Sequence, residues 1–148
     1  MSRDKSKPKL AIVRAELKRI EKANKGRLRA PDVVEAARPR TAPLHPFFEW
    51  RDGVAAERFR LLQAERLIRV TVDVFEVNGH ERTYRAYVSL SSDRMSRGGY
   101  RTMTAVMSNP AWRAVLLEDA KSELRAFQLK YRGLVELAAV FDAVNALD

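Results

Sequence analysis

The chain has 148 residues, 46% apolar and 32% charged, with no cysteine and a formal net charge of +9. That length suits one domain, or one domain with a helical appendage. The lack of cysteine excludes disulfides, thiolate metal ligands and cysteine nucleophiles, and no apolar run approaches the roughly 20 residues that span a bilayer.

The charge is lopsided. Met1 to Ala30 carry eleven Lys or Arg against three acids, whereas Pro31 to Asp148 carry seventeen against sixteen. A basic leader thus precedes a nearly neutral body. Lys and Arg on nucleic acid release counterions condensed on the phosphates, so a polyanion partner is expected. The amino terminus, SRDKSKPK, has no apolar core behind its charges. A secretory signal is therefore not expected, and a cytoplasmic location without membrane contact is.

Residues 1–8, charged and ended by Pro8, predict a disordered basic tail. Helical spacing of Leu10, Ile12, Val13, Leu17 and Ile20 predicts a helix over 9–24, with Lys18, Lys22 and Lys25 outward and Gly26 as its stop. Pro31 opens a short helix to about Arg38, with Val33, Val34 and Ala37 inward. Pro39 to Trp50 is too proline-rich for a long helix, and Phe47, Phe48 and Trp50 are expected to plug the core from a loop.

Asp52 is the expected N-cap of a third helix over 53–67. Its predicted inward arc holds Val54, Leu61, Ile68, Phe59, Leu62 and Ala55, and its outward arc holds Ala56, Glu57, Arg60 and Gln63. Arg58 and Glu65 fall inside the apolar arc, a local conflict. Strands over 68–77 and 81–90 follow, around Asn78-Gly79-His80. The Asn-Gly dipeptide favours a two-residue turn. A three-residue loop instead sets Asp73 against Arg85 and Glu76 against Arg82, and these unlike pairs favour the longer loop.

Ser91 to Gly99 reads as a mobile loop, and Tyr100 to Ser108 as a short strand or helix. Gly98-Gly99 among Arg94, Arg97 and Arg101 has the composition of a phosphate cradle without Walker spacing, so a plain flexible loop is expected. Asn109 and Pro110 begin a helix to about Tyr131, with Trp112, Leu116, Ala120, Leu124, Phe127 and Tyr131 on one stripe. A last helix is predicted over 134–146.

The order helix, helix, helix, hairpin over 9–90 is that of a winged helix-turn-helix. The expected fold is therefore α+β: a winged-helix-like part over 9–90, a loop and short element over 91–109, and a carboxy-terminal helical pair over 110–148 that forms core or a homodimer contact. The expected function is binding of double-stranded DNA. Lys18, Lys22, Lys25, Arg27 and Arg29 would meet phosphates, Arg60 and Gln63 would meet base edges, and Asn78 and Arg82 would form the wing tip. RNA binding, with Tyr84, Tyr87 and Arg85 as stacking candidates, and a protein-interaction module are the rival readings. His45 and His80 are the only histidines and neither is placed as a base or zinc ligand. No enzyme, metal or cofactor is expected.

Ala42 to Ile68 (APLHPFFEWRDGVAAERFRLLQAERLI), the strand RAYVS and the helix ELRAFQLKYR resemble small phage and prophage proteins of high-GC bacteria. The resemblance covers most of the chain after about Arg27 and carries no functional residue over. It implies a mobile-element protein acting near DNA, and regulation or packaging of such an element is the expected role.

Overall fold

The first helix starts earlier than its apolar spacing predicts. In the computed structural model, which describes residues 6–147, α1 spans Ser6–Ala23. Pro8 falls in the first turn, where a missing N–H breaks no helical bond. The tail expected over 1–8 is thus corrected at 6–8, while 1–5 lie outside the described residues. Val13, Leu17 and Ile20 are buried as predicted, but Leu10 and Ile12 stay exposed. Leu10 instead borders an open groove beside Val70, Val72 and Val74. Lys25 and Gly26 both take positive φ (55° and 84°) and turn the chain out of the helix.

Leu28 then forms an antiparallel bridge with Tyr100, its N–H donating to Tyr100 O at 2.9 Å and its O accepting from Tyr100 N at 2.7 Å. Helix α2, Ala30–Ala37, buries Val33, Val34 and Ala37. The proline segment folds as a single 3-10 turn, His45–Phe47, from which Phe48 enters the core and Phe47 and Trp50 pack against it.

Helix α3 runs Val54–Val70. Its N-cap is Gly53 rather than Asp52, and no side chain caps it. It continues three residues into the expected strand, because Ile68 follows Ala64 at helical spacing and both are fully buried.

Strands β1 (Val72–Val77) and β2 (His80–Arg85) form the hairpin in the two-residue register, with Val72 opposite Arg85 and Glu76 opposite Glu81. The expected three-residue loop is therefore corrected. Asn78 and Gly79 take φ of 52° and 75°, the pair of left-handed residues that a type I′ turn requires. Side chains have little say in the register, since every hairpin residue but Asp73 and Tyr84 is exposed and a slip would sacrifice little buried area. Asp73 pairs with Arg14 of α1 instead of with Arg85.

A second small sheet follows. β3 (Tyr87–Val88) pairs antiparallel with β4 (Arg101–Thr102), and Leu28 lies along the opposite side of β4. The chain between these strands contains α4, Ser91–Arg94. Helix α5, Met103–Ser108, follows directly, with Thr102 Oγ1 accepting from Ala105 N at 3.2 Å. Helix α6 spans Pro110–Tyr131 as predicted, and Asn109 Oδ1 accepts from Ala111 N and Trp112 N at 3.0 and 3.2 Å. The predicted last helix is split into a 3-10 turn, Val135–Leu137, and α7, Ala138–Asn145.

The protein is mixed α+β and mostly helical. Its main core lies between α1, α2, α3 and β3, where Leu17, Leu28, Val33, Val34, Leu44 and Ile68 are fully buried. Phe141 and Val144 of α7 are buried apart from it.

Candidate nucleic-acid interface

Helix α1 and the turn that leaves it present one basic face. Lys18, Lys22 and Lys25 are exposed there, and among the described residues their side chains have no ion-pair partner. Arg14 and Arg19 belong to the same helix but are occupied, Arg14 by Asp73 and Arg19 by the buried Glu16, whose carboxylate accepts from Nε at 3.0 Å.

The expected base readers on α3 are corrected. Arg60 is 6% exposed. Its Nε donates to Glu57 Oε2 at 3.0 Å, a terminal nitrogen donates to Glu49 O at 3.2 Å, and its guanidinium lies 5.3 Å from the Trp50 ring centroid. Gln63 is half-buried and its Oε1 accepts from Glu49 N at 3.2 Å. Both side chains hold the proline segment onto α3. Hydrogen bonds from Arg60, and then from Arg38 of the α2 end, keep the Glu57 carboxyl below its ordinary range. Hydrophobicity alone predicted a different inward face, because a buried arginine is stable only with partners that another segment supplies.

The helix is therefore turned so that Ala55, Arg58, Phe59, Leu62, Arg66 and Arg69 face outward. Arg58 is exposed and Glu65 half-buried, which removes the inward conflict. Phe59 and Leu62 are 50% and 58% exposed, flanked by three arginines whose side chains have no partner among the described residues.

Asn78 and Arg82 are exposed on the hairpin, Asn78 in its turn and Arg82 opposite Phe75. Of the stacking candidates, Tyr87 is buried and so offers no ring to a base, while Tyr84 is half-buried and packs edge-on to Phe75 at 5.0 Å. Arg85 turns back, Nε to Arg69 O at 3.4 Å.

A second basic group gathers where Leu28 meets Tyr100. The antiparallel register sets Arg27 beside Arg101 and Arg29 beside Gly99. Behind them Asp93, its side chain 7% exposed, accepts from Arg101 Nε and Nη2 at 2.7 and 2.8 Å and from Arg27 Nη2 at 3.2 Å. Arg27 also donates to Gly98 O at 2.9 Å. Arg101 lies 4.1 Å from the Trp112 ring centroid. The segment expected as a plain loop is thus corrected at 91–94, where α4 forms: Asp93 ties it to β4, and Ser91 N donates to Asp119 Oδ2 at 2.9 Å. An apolar-pattern reading passes over Asp93, since a lone acid in a basic, glycine-containing segment looks solvated.

His45 stacks on Trp50, centroids 4.8 Å apart, with Nδ1 2.9 Å from Ala37 O, and so serves packing. No group of three or more metal-binding side chains stands together among the described residues, and none of the described helices is long and apolar enough to cross a membrane. Comparison with protein-family models, curated proteins and solved structures finds no match.

Proposed function

We propose that the protein binds double-stranded DNA as a winged helix of a phage or other mobile element. The observation that carries this reading is the exposed line of Arg58, Arg66 and Arg69 on α3, the helix packed most closely on α2; their side chains have no partner among the described residues. Side chains of that type serve both phosphates and guanine edges. The element order supports it: α1, a strand-like residue at Leu28, α2, α3, then β3 and β4 with Leu28 on the far side of β4. A winged helix has that order, and it makes the arginine-bearing loop between β3 and β4 the wing. The β1–β2 hairpin is then an insertion after α3, and Asn78 and Arg82 leave the interface. Lys18 and Lys22 of α1, and Lys25 in the turn after it, add phosphate contacts.

The α6–α7 pair is the surface through which two copies associate in this reading. No residue of the 22-residue α6 is buried, and residues 110–147 carry five basic and five acidic side chains, so identical copies do not repel there.

The test is a salt titration of duplex binding by the full chain. Arg58→Ala, Arg66→Ala and Arg69→Ala together should lower the slope of log affinity against log salt by about 3, from about 0.9 per lost phosphate contact. An unchanged slope rules α3 out. A protein partner is the second reading, favoured by exposed Phe59 and Leu62. It gains if Phe59→Ala and Leu62→Ala leave DNA binding intact in a protein that does bind it.

A further inference from the structure

A cavity of about 350 Å³ opens beside the Leu28–Tyr100 bridge, lined by Asn24, Lys25, Arg27, Arg29, Asp32, Arg97 and Arg101. Its volume lies at the small end of ordinary ligand sites, roughly 300–1,000 Å³. Five cations surround it, against two carboxylates, Asp32 in the wall and Asp93 behind. Asp93 already joins Arg27 and Arg101, so the repulsion left for an incoming anion to relieve is among Lys25, Arg29 and Arg97. The surplus of positive charge suits a ligand with two or more negative charges better than a single phosphodiester.

The wall divides into fixed and free donors. Asp93 and the Trp112 ring hold Arg101, while Asp93 and Gly98 O hold Arg27, so both guanidinium groups are oriented before any ligand arrives. Fixing them in advance lowers the entropy cost of binding. Lys25, Arg29 and Arg97 have no side-chain partner among the described residues. Glycine holds the two basic strands together: at Gly99 (φ 96°) a Cβ would stand 2.9 Å from Arg27 Cδ and from Arg29 Cγ.

We infer that this cavity is a binding site for a multiply charged phosphate, with Arg27 and Arg101 as preset donors and Lys25, Arg29 and Arg97 closing on the anion. Two sources share that chemistry: a free polyphosphate and the 5′-terminal phosphate of a nucleic-acid strand. The site does not depend on the α3 reading above.

The experiment is thermal unfolding and calorimetric titration of the full chain with inorganic pyrophosphate, with sodium chloride at matched ionic strength as the control. Saturable stabilisation by pyrophosphate beyond the chloride effect is expected. Arg29→Gln and Arg97→Gln leave the Asp93 network intact, and each should weaken pyrophosphate about tenfold, the worth of one charge-assisted hydrogen bond. Arg97→Lys should recover part of the loss. If either variant alters the circular dichroism spectrum, Lys25→Gln replaces it. No saturable pyrophosphate effect, or one that survives the substitutions, overturns the inference.

A second arm separates the sources by comparing duplexes with 5′-phosphate and 5′-hydroxyl ends. Tighter binding of the phosphorylated duplex, relieved by pyrophosphate, assigns the site to strand ends. Equal binding of the two with pyrophosphate affinity intact assigns it to a free polyphosphate. Loss of duplex binding in the α3 variants with pyrophosphate affinity unchanged would separate failure of one site from failure of the other.

Discussion

Arg101 grips Asp93 with two nitrogens, Nε at 2.7 Å from one carboxylate oxygen and Nη2 at 2.8 Å from the other. The same carboxylate takes Arg27 from across the strand bridge. One buried acid therefore joins three segments far apart in sequence: the exit of α1, the loop holding α4, and β4. Asp93→Asn keeps the shape but removes the charge, leaving two guanidinium groups facing each other. It should lower unfolding stability by about 3 kcal/mol, at the low end for a broken buried pair because both arginines keep some water. Chemical denaturation measures this. A loss within the error of the method would show that solvent replaces the carboxylate at no cost.

Gly99→Ala should act on the same place by a different route. The added methyl meets Arg27 and Arg29 side chains at 2.9 Å and Leu28 O at 3.2 Å, with the backbone at φ 96°. The side chains can swing away but the backbone oxygen cannot. A cost of about 1–3 kcal/mol is expected from the strained conformation and the displaced bridge. Amide exchange should quicken at Leu28 and Tyr100 while Val33 and Val34 stay protected. Faster exchange across α2 as well would mean that the bridge supports the whole core.

Helices whose ends are written in local chemistry could be read from sequence. Asn109-Pro110 fixed the start of α6, and Val33, Val34 and Ala37 gave the buried face of α2. The rotation of α3 could not be read, because Arg60 is inward only with Glu49 O and Trp50 in place. The hairpin register escaped for the opposite reason: cross-strand charges argued for one pairing, and an exposed ribbon obeys its turn. In the candidate site, α1 lysines were legible from a wheel. Asp93 was not, since its role exists only once Arg27 is brought beside Arg101.

Substitutions on α3 should separate stability from binding. Arg60→Ala removes the contact to Glu57, Glu49 O and Trp50 and is expected to cost about 2–3 kcal/mol through a cavity and unpaired groups. Arg66→Ala lies on the exposed face and should change stability by less than about 0.5 kcal/mol. Duplex affinity should respond in the reverse order, with Arg66→Ala weakening it and folded Arg60→Ala leaving it near the parent value. Denaturation and binding curves on the same samples decide it. Matched affinity losses would mean that α3 enters no groove.

Tyr87 gives a signature at high pH. Burial first, and then the negative charges of Glu21 and Asp73, push its hydroxyl from an ordinary 10.0 up to about 12, with Arg14 opposing. The folded state thus favours the neutral phenol. Below pH 10 both states keep the proton and this contribution is fully present. As the pH rises from 10 towards 12, the unfolded chain ionises first and the contribution is lost. On the order of 2 kcal/mol should disappear across that range. Tyr87→Phe cannot ionise, so the difference in stability between the two proteins should narrow or invert there. A constant difference would place the hydroxyl in water.

The carboxy-terminal pair offers the last test. Phe127 touches Tyr131 at 4.8 Å and Phe141 at 6.4 Å, yet is 41% exposed. Helix α6, about 33 Å long at 1.5 Å per residue, has one apolar edge without cover. A second copy of the pair would cover it, and the balanced charge of residues 110–147 allows the approach. Phe127→Asp should then give a folded monomer where the parent is a dimer, since one buried carboxylate without a partner opposes association strongly. Sedimentation and circular dichroism together decide the outcome. Unfolding of the variant would assign Phe127 to the packing of α7, and Leu124→Asp, on the same stripe and 37% exposed, then tests the association alone. A parent that sediments as a monomer at all concentrations removes the two-copy reading and leaves the α6 edge to a different partner.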